Sequence, residues 1–261
     1  MSARLAVARM LAGPEEWSRR RLQVLLAIAV VVGVAVVGGM VWSIVELTRV
    51  GPASSDGAKT GESPGAYGHA PRSAPIEEAQ PGPLSTGSTG IIRIQQPSSL
   101  GRAQVGTGFS PSARGALAQL IAIDRRAIES GSVVTAQHVI ASWAAPGGPT
   151  PETWSGVAAV RIVLESAGLP ANGSTDLAIQ LDPAMGQIKG QPPTVCVDFI
   201  LTATVRAGEP DRVAVADCQH MTWLGGRWVI AAGNEPAATP SLWPGTQASY
   251  DAGYRWLEVE P

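Results

Sequence analysis

One stretch governs what this chain can become. From Leu22 to Val45, 24 consecutive residues carry no charge, and Arg19, Arg20 and Arg21 stand directly before them. A helix rises about 1.5 Å per residue, so such a run reaches roughly 36 Å and covers a hydrocarbon core of about 30 Å. Backbone amides in lipid find partners only within their own helix, which predicts a transmembrane helix over residues 22–45. Gly33, Gly38 and Gly39 are tolerated in lipid, and Trp42 falls where an indole meets an interface. Ahead of the run, Arg4, Arg9 and the arginine triplet outnumber Glu15 and Glu16. The positive-inside rule then keeps residues 1–21 as a cytoplasmic stub and exports everything after the helix. A cleaved signal peptide would carry an apolar core of about 7–15 residues and an A-x-A-like site. This run ends instead in Trp42-Ser43-Ile44-Val45-Glu46. The expected location is the cell membrane, single-pass, with the C-terminal domain extracytoplasmic.

Composition changes sharply beyond the run. Residues 46–108 are rich in Gly, Pro, Ser and Ala without apolar periodicity, which predicts a disordered linker; Ile91, Ile92 and Ile94 form a short strand candidate within its last part. Residues 109–261 are then the exported domain, long enough for one core. They hold nine Lys plus Arg against 14 Asp plus Glu, and that acidic balance excludes direct nucleic-acid binding.

Three helices are expected first. Ser110-Pro111 reads as an N-cap followed by proline at the first helical position, and Gly131 as the stop. Leu117, Leu120, Ile121 and Ile128 make its apolar stripe; Ala136, Val139, Ile140 and Trp143 make the next, ended by Pro146-Gly147-Gly148-Pro149. Thr150-Pro151-Glu152 repeats the cap-then-proline signature before Trp154, Val157, Val160 and Leu164, with Gly168 as the stop. After Gly173 the period becomes two. Leu177 to Leu181, Val195 to Val205, Val213 to Trp223 and the run after Gly225-Gly226 read as antiparallel strands, the glycine pair as a two-residue hairpin turn. The predicted fold is α+β: a cone-like domain of three helices packed on a curved antiparallel sheet of about four strands.

Cys196 and Cys218, the only cysteines, share one parity of neighbouring strands. If Arg206-Ala207-Gly208 is the loop, with Gly208 left-handed, the two cysteines lie directly opposite, within reach of a disulfide. A turn shifted by Pro210 would leave two buried thiols instead. Two cysteines near His220 are too few ligands for zinc, and no metal or cofactor is expected.

No catalytic motif is present. Asp198, Asp217 and His220 are the nearest to a constellation. In the cysteine-pairing register Asp198 faces Ala216 and His220 faces Thr194, while alternation sends Asp217 to the opposite face. Carboxylate and imidazole are therefore not partners, and no catalytic residue is assigned. Candidate partner-binding residues are Met185, Ile188 and Lys189 in a long loop from Asp182 to Pro193, and Trp243, Tyr250, Tyr254 and Trp256 in the tail. That tail either covers the sheet or presents a partner surface.

The order of stub, spanning helix, spacer, helices and sheet resembles the bitopic assembly-scaffold proteins of type IV secretion and conjugation systems, TcpC-like proteins among them. The stretches Gly115-Ala116-Leu117-Ala118-Gln119-Leu120-Ile121-Ala122-Ile123-Asp124, Pro183-Ala184-Met185-Gly186-Gln187-Ile188-Lys189-Gly190 and Val195-Cys196-Val197-Asp198-Phe199 resemble actinobacterial membrane proteins associated with mobile elements. The resemblance implies a nuclear-transport-factor-two-like exported domain. It also implies a non-enzymatic scaffold in an envelope complex, a homo-oligomer that binds other subunits. A small-ligand or lipid carrier using the cavity of the cone is the alternative.

Overall fold

Alternation of apolar residues and three capped helical stripes build the architecture seen in a computed structural model, which describes residues 75–87 and 89–260. The order of elements is β1 (Ile91–Ile94), β2 (Ser99–Leu100), β3 (Gly106–Thr107), α1 (Ala113–Ile128), α2 (Val133–Trp143), α3 (Ser155–Ser166), β4 (Leu177–Lys189), β5 (Thr194–Val205), β6 (Asp211–Leu224), β7 (Arg227–Ile230), α4 (Gln247–Asp251) and β8 (Arg255–Val259). The six-stranded sheet runs β1-β8-β4-β5-β6-β7, while β2 and β3 form a separate hairpin.

The expected fold needs correcting in its sheet. The predicted spanning helix over 22–45 lies outside the described residues; among those described, no helix is long and apolar enough to cross a membrane. The domain is α+β, but its sheet has six strands rather than about four, and it is mixed. The extra strands come from the two ends of the described chain. β1 runs parallel to β8, from Ile91 opposite Trp256 to Ile94 opposite Val259, and β8 joins β4 through Met185 and Gly186. Neither short segment has a strong alternating signal of its own. β8 becomes a strand because the edge of β4 offers unpaired amides, and β1 because β8 in turn offers its own outer edge.

Local chemistry moves several boundaries. Ser112, not Ser110, caps α1, its side chain accepting from the Gly115 amide at 3.1 Å; the Ser110 carbonyl instead accepts from Trp228 Nε1 at 2.8 Å. Thr150-Pro151-Glu152 makes a separate turn closed by the Trp154 amide on the Thr150 carbonyl at 2.9 Å. α3 therefore starts at Ser155. It ends at left-handed Gly168 (φ +66), with the Leu169 amide on Leu164 and the Gly168 amide on Glu165, the two bonds of a Schellman cap.

The long loop expected from Asp182 to Pro193 is mostly strand. β4 continues to Lys189, with a register irregularity between Pro183 and Met185. Pro183 has no amide to donate, so a bulge there costs the ladder little and lets pairing resume. At the β5–β6 turn the register is the predicted one, from Ala203 opposite Asp211 to Thr194 opposite His220. The turn is tighter than expected, however. The left-handed residues are Arg206 (φ 51) and Ala207 (φ 53) rather than Gly208, and the Gly208 amide closes on the Val205 carbonyl at 3.0 Å.

The sheet buries both faces. Against the helices lie Val195, Val197, Phe199 and Leu201 of β5 with Leu117, Leu120 and Ile123 of α1 and Trp143 of α2. On the opposite face Met185, Cys196, Cys218 and Tyr254 form a second apolar cluster. The tail lies over that face, joined by the segment that precedes β1: the Trp243 amide bonds the Glu78 carbonyl at 2.6 Å, and the Ser85 amide bonds that of Gly245 at 2.8 Å.

Candidate functional site: buried acids on both faces of the sheet

The apolar stripe of α1 carries one acid. Asp124 falls at the spacing of Leu117, Leu120 and Ile128, so helical geometry turns it inward, and it is buried. On β6 the parity of Val213, Val215 and Met221 likewise sends Asp217 and Gln219 toward the helices. Glu235, just past β7, completes the group. Gln219 Nε2 donates to both Asp217 oxygens at 3.1 and 3.2 Å and to Glu235 Oε1 at 2.7 Å. Glu235 also takes the Ser155 amide at 3.0 Å and the Ser155 hydroxyl at 2.7 Å. A carboxylate thus caps α3, a helix whose own N-cap, Trp154, supplies no side-chain bond.

The electrostatics of this group are those of negative charges withdrawn from water. Burial pushes the Asp217 carboxyl up from 3.8 to about 7, with Glu235 adding repulsion and Gln219 and the Cys218 amide partly opposing it. Burial raises Asp124 well above the usual carboxylate range, helped by Asp217 and then Glu235. Asp124 Oδ2, Gln219 Oε1 and Trp154 Nε1 are buried without hydrogen-bond partners. Burial thus favours the neutral forms of Asp124 and Asp217.

The other face carries a single acid. Asp198 on β5 is fully buried, and neither of its oxygens has a partner in hydrogen-bond geometry. Burial raises its pKa well above the usual range; the Leu242 amide opposes that without completing a bond. The Tyr254 hydroxyl, 3.3 Å from Thr239 Oγ1, is also raised, first by burial and then by Asp198.

The two faces separate Asp198 from Asp217, as alternation requires, and His220 sits opposite Thr194, its Nδ1 2.7 Å from the threonine hydroxyl. Among the described residues no three His, Cys, Asp or Glu side chains converge as metal ligands. Cys196 and Cys218 are directly opposed and joined by a disulfide.

The predicted partner-binding residues scatter. Met185 and Tyr254 are fully buried and Trp243 nearly so. Met185 Sδ takes the Gly245 amide at 3.2 Å, which makes it a fixture beneath the tail. Ile188 packs partly buried against the main core, and Lys189 is exposed at the end of β4. Tyr250 and Trp256 do meet: Trp256 Nε1 donates to the Tyr250 hydroxyl at 2.8 Å, and Trp256 is 36% exposed. Asp124, Gln219 and Glu235 were not among the sequence candidates. The first two were legible as polar residues on apolar periodicities; Glu235 had no local signal.

Compared with protein families, with characterised proteins and with solved structures, the chain matches none.

Proposed function

We propose that the protein is a membrane-anchored, non-enzymatic scaffold whose extracytoplasmic domain binds sister copies and other subunits of an envelope complex. The observation that carries this reading is the disposition of apolar groups. Both faces of the sheet are closed, one by helices and one by the tail. Of the eight large exposed hydrophobics among the described residues, five, Ile91, Trp223, Leu224, Trp256 and Val259, lie on strands toward the two ends of the sheet. Exposed apolar side chains that no intramolecular element covers suit contacts with other molecules. The disulfide agrees with an oxidising compartment, and the uncharged run over 22–45 supplies the anchor. A conjugation or secretion setting rests on the sequence resemblance alone.

The test is chemical crosslinking in membranes followed by affinity purification in detergent. Crosslinked homo-oligomers or defined envelope partners support the scaffold. A lone monomer recovered after efficient crosslinking refutes it.

One observation favours a second reading, a small-ligand carrier. Asp124 Oδ2 and Gln219 Oε1 are buried acceptors without donors, and they would suit a ligand bearing N–H groups. Titration with methylammonium, followed by amide shifts on β6, tests it; no shift at Gln219 removes it.

A further inference from the structure

Residues 109–261 carry a net negative charge, yet three stretches, 96–123, 131–151 and 218–234, contain no aspartate or glutamate and hold Arg102, Arg114 and Arg227. The fold brings parts of all three together at the free end of the β6–β7 hairpin. Trp143 Nε1 donates to the Arg102 carbonyl at 3.0 Å. The Arg227 guanidinium lies 4.7 Å from the centre of the same indole and donates to the Ser142 carbonyl at 3.2 Å. Arg102 is close enough for its charge to act on Arg227. Neither arginine is in an ion pair; those among the described residues are Arg93–Glu258, Arg125–Glu129 and Arg206–Asp176.

Apolar side chains surround this basic pair. Leu100 is 77% exposed, Leu224 49% and Trp223 39%. Leu224 sits directly opposite Arg227 across the Gly225-Gly226 turn. Trp223 is braced edge-on against Trp228, with centroids 5.4 Å apart, and Trp228 is itself fixed by the Ser110 carbonyl at 2.8 Å. Trp223 and Leu224 therefore project from a rigid hairpin rather than a loose loop.

We propose that this end of the domain, formed by Leu100, Arg102, Trp223, Leu224 and Arg227, docks on an anionic phospholipid surface. Two neighbouring guanidiniums without counter-ions call for phosphate, which accepts the forked donors of arginine. An indole and two leucines beside them match the boundary between headgroups and acyl chains. The contact area is small, so docking is effective only while the chain is held at the bilayer, where the local concentration of lipid is high. In that respect the inference rests on the anchor read from residues 22–45.

The experiment uses the full chain in bilayers of phosphatidylcholine, with or without phosphatidylglycerol, and reads amide hydrogen exchange of the β6–β7 hairpin. Exchange at Leu224 to Trp228 is expected to slow about fivefold or more with phosphatidylglycerol, and to recover in high salt. Leu224→Ser and Arg102→Gln, both outside the core, should each abolish most of the difference while exchange elsewhere stays unchanged. Equal exchange in the two bilayers overturns the proposal. So does protection that persists in detergent with a co-purified acidic protein, which would make the face a protein interface. If the bilayer does not retain the chain at all, the anchor reading has failed. Docking, which needs that anchor, then falls with it, whereas equal exchange in a chain that both bilayers retain overturns docking alone.

Discussion

Asp217→Asn should stabilise the domain, and only above mildly acidic pH. Folding takes this carboxyl out of water and raises its pKa from 3.8 to about 7, so the folded state binds its proton more tightly than the unfolded chain. An acid raised in this way costs nothing below about pH 4, where both states are protonated. The cost grows as pH rises toward 7 and is complete above it. A difference of about three pKa units corresponds to at most about 4 kcal/mol, and partial solvent contact at Asp217 brings the expected effect to about 2–3 kcal/mol. Asparagine keeps the shape and still accepts from Gln219, but never ionises. The assay is urea denaturation of the oxidised full chain in mild detergent at pH 4, 6 and 8, followed by tryptophan fluorescence. Wild type and variant should coincide at pH 4 and separate by about 2–3 kcal/mol at pH 8, the variant being more stable. Asp124 and Asp198 are raised in the same direction in both proteins, so comparing the two isolates Asp217 apart from the relief of Asp124. A pH-independent loss of stability in the variant would refute the reasoning.

Three other outcomes follow from the same physics. Reducing Cys196–Cys218, which closes a 22-residue separation, should lower stability by about 3 kcal/mol in denaturant titrations of oxidised and reduced chain. Ala207→Gly relieves a left-handed alanine (φ 53) in the β5–β6 turn and should raise stability by about 1 kcal/mol, read by the same titration. Gly115→Ala should do the reverse: a Cβ there would lie 2.0 Å from the Ser110 carbonyl oxygen, and the helix start must move, at a cost of about 2 kcal/mol or more.

Much of the fold could be read from residue patterns because the signals were local. The stripes Ala136-Val139-Ile140-Trp143 and Trp154-Val157-Val160-Leu164 are buried as helical spacing requires. Gly225 and Gly226 are both left-handed, as a two-residue hairpin demands. Parity puts Cys196 and Cys218 on one face; their direct opposition depends on a loop at Arg206 to Gly208, whose expected register is observed although its conformation differs. What stayed hidden was non-local. β1 and β8 pair across 165 positions, and four or five residues of weak alternation give no hint of the partner. The sequence of the tail is compatible with both a cover over the second face and a partner surface. Met185, Gly245 and Tyr254 place it as cover, through contacts no window of sequence contains. Of the acids facing the helices, Asp124 and Asp217 stand on readable periodicities, whereas Glu235 joins them only because the segment after β7 passes the start of α3.

The redox state of Cys196 and Cys218 in chain recovered from cell membranes bears most directly on the account. Alkylating intact membranes before and after reductant should find both thiols blocked until reductant is added, in chain that sediments with the lipid. Free thiols in that fraction, or a shortened oxidised chain shed into the medium, would contradict a tethered domain working outside the membrane.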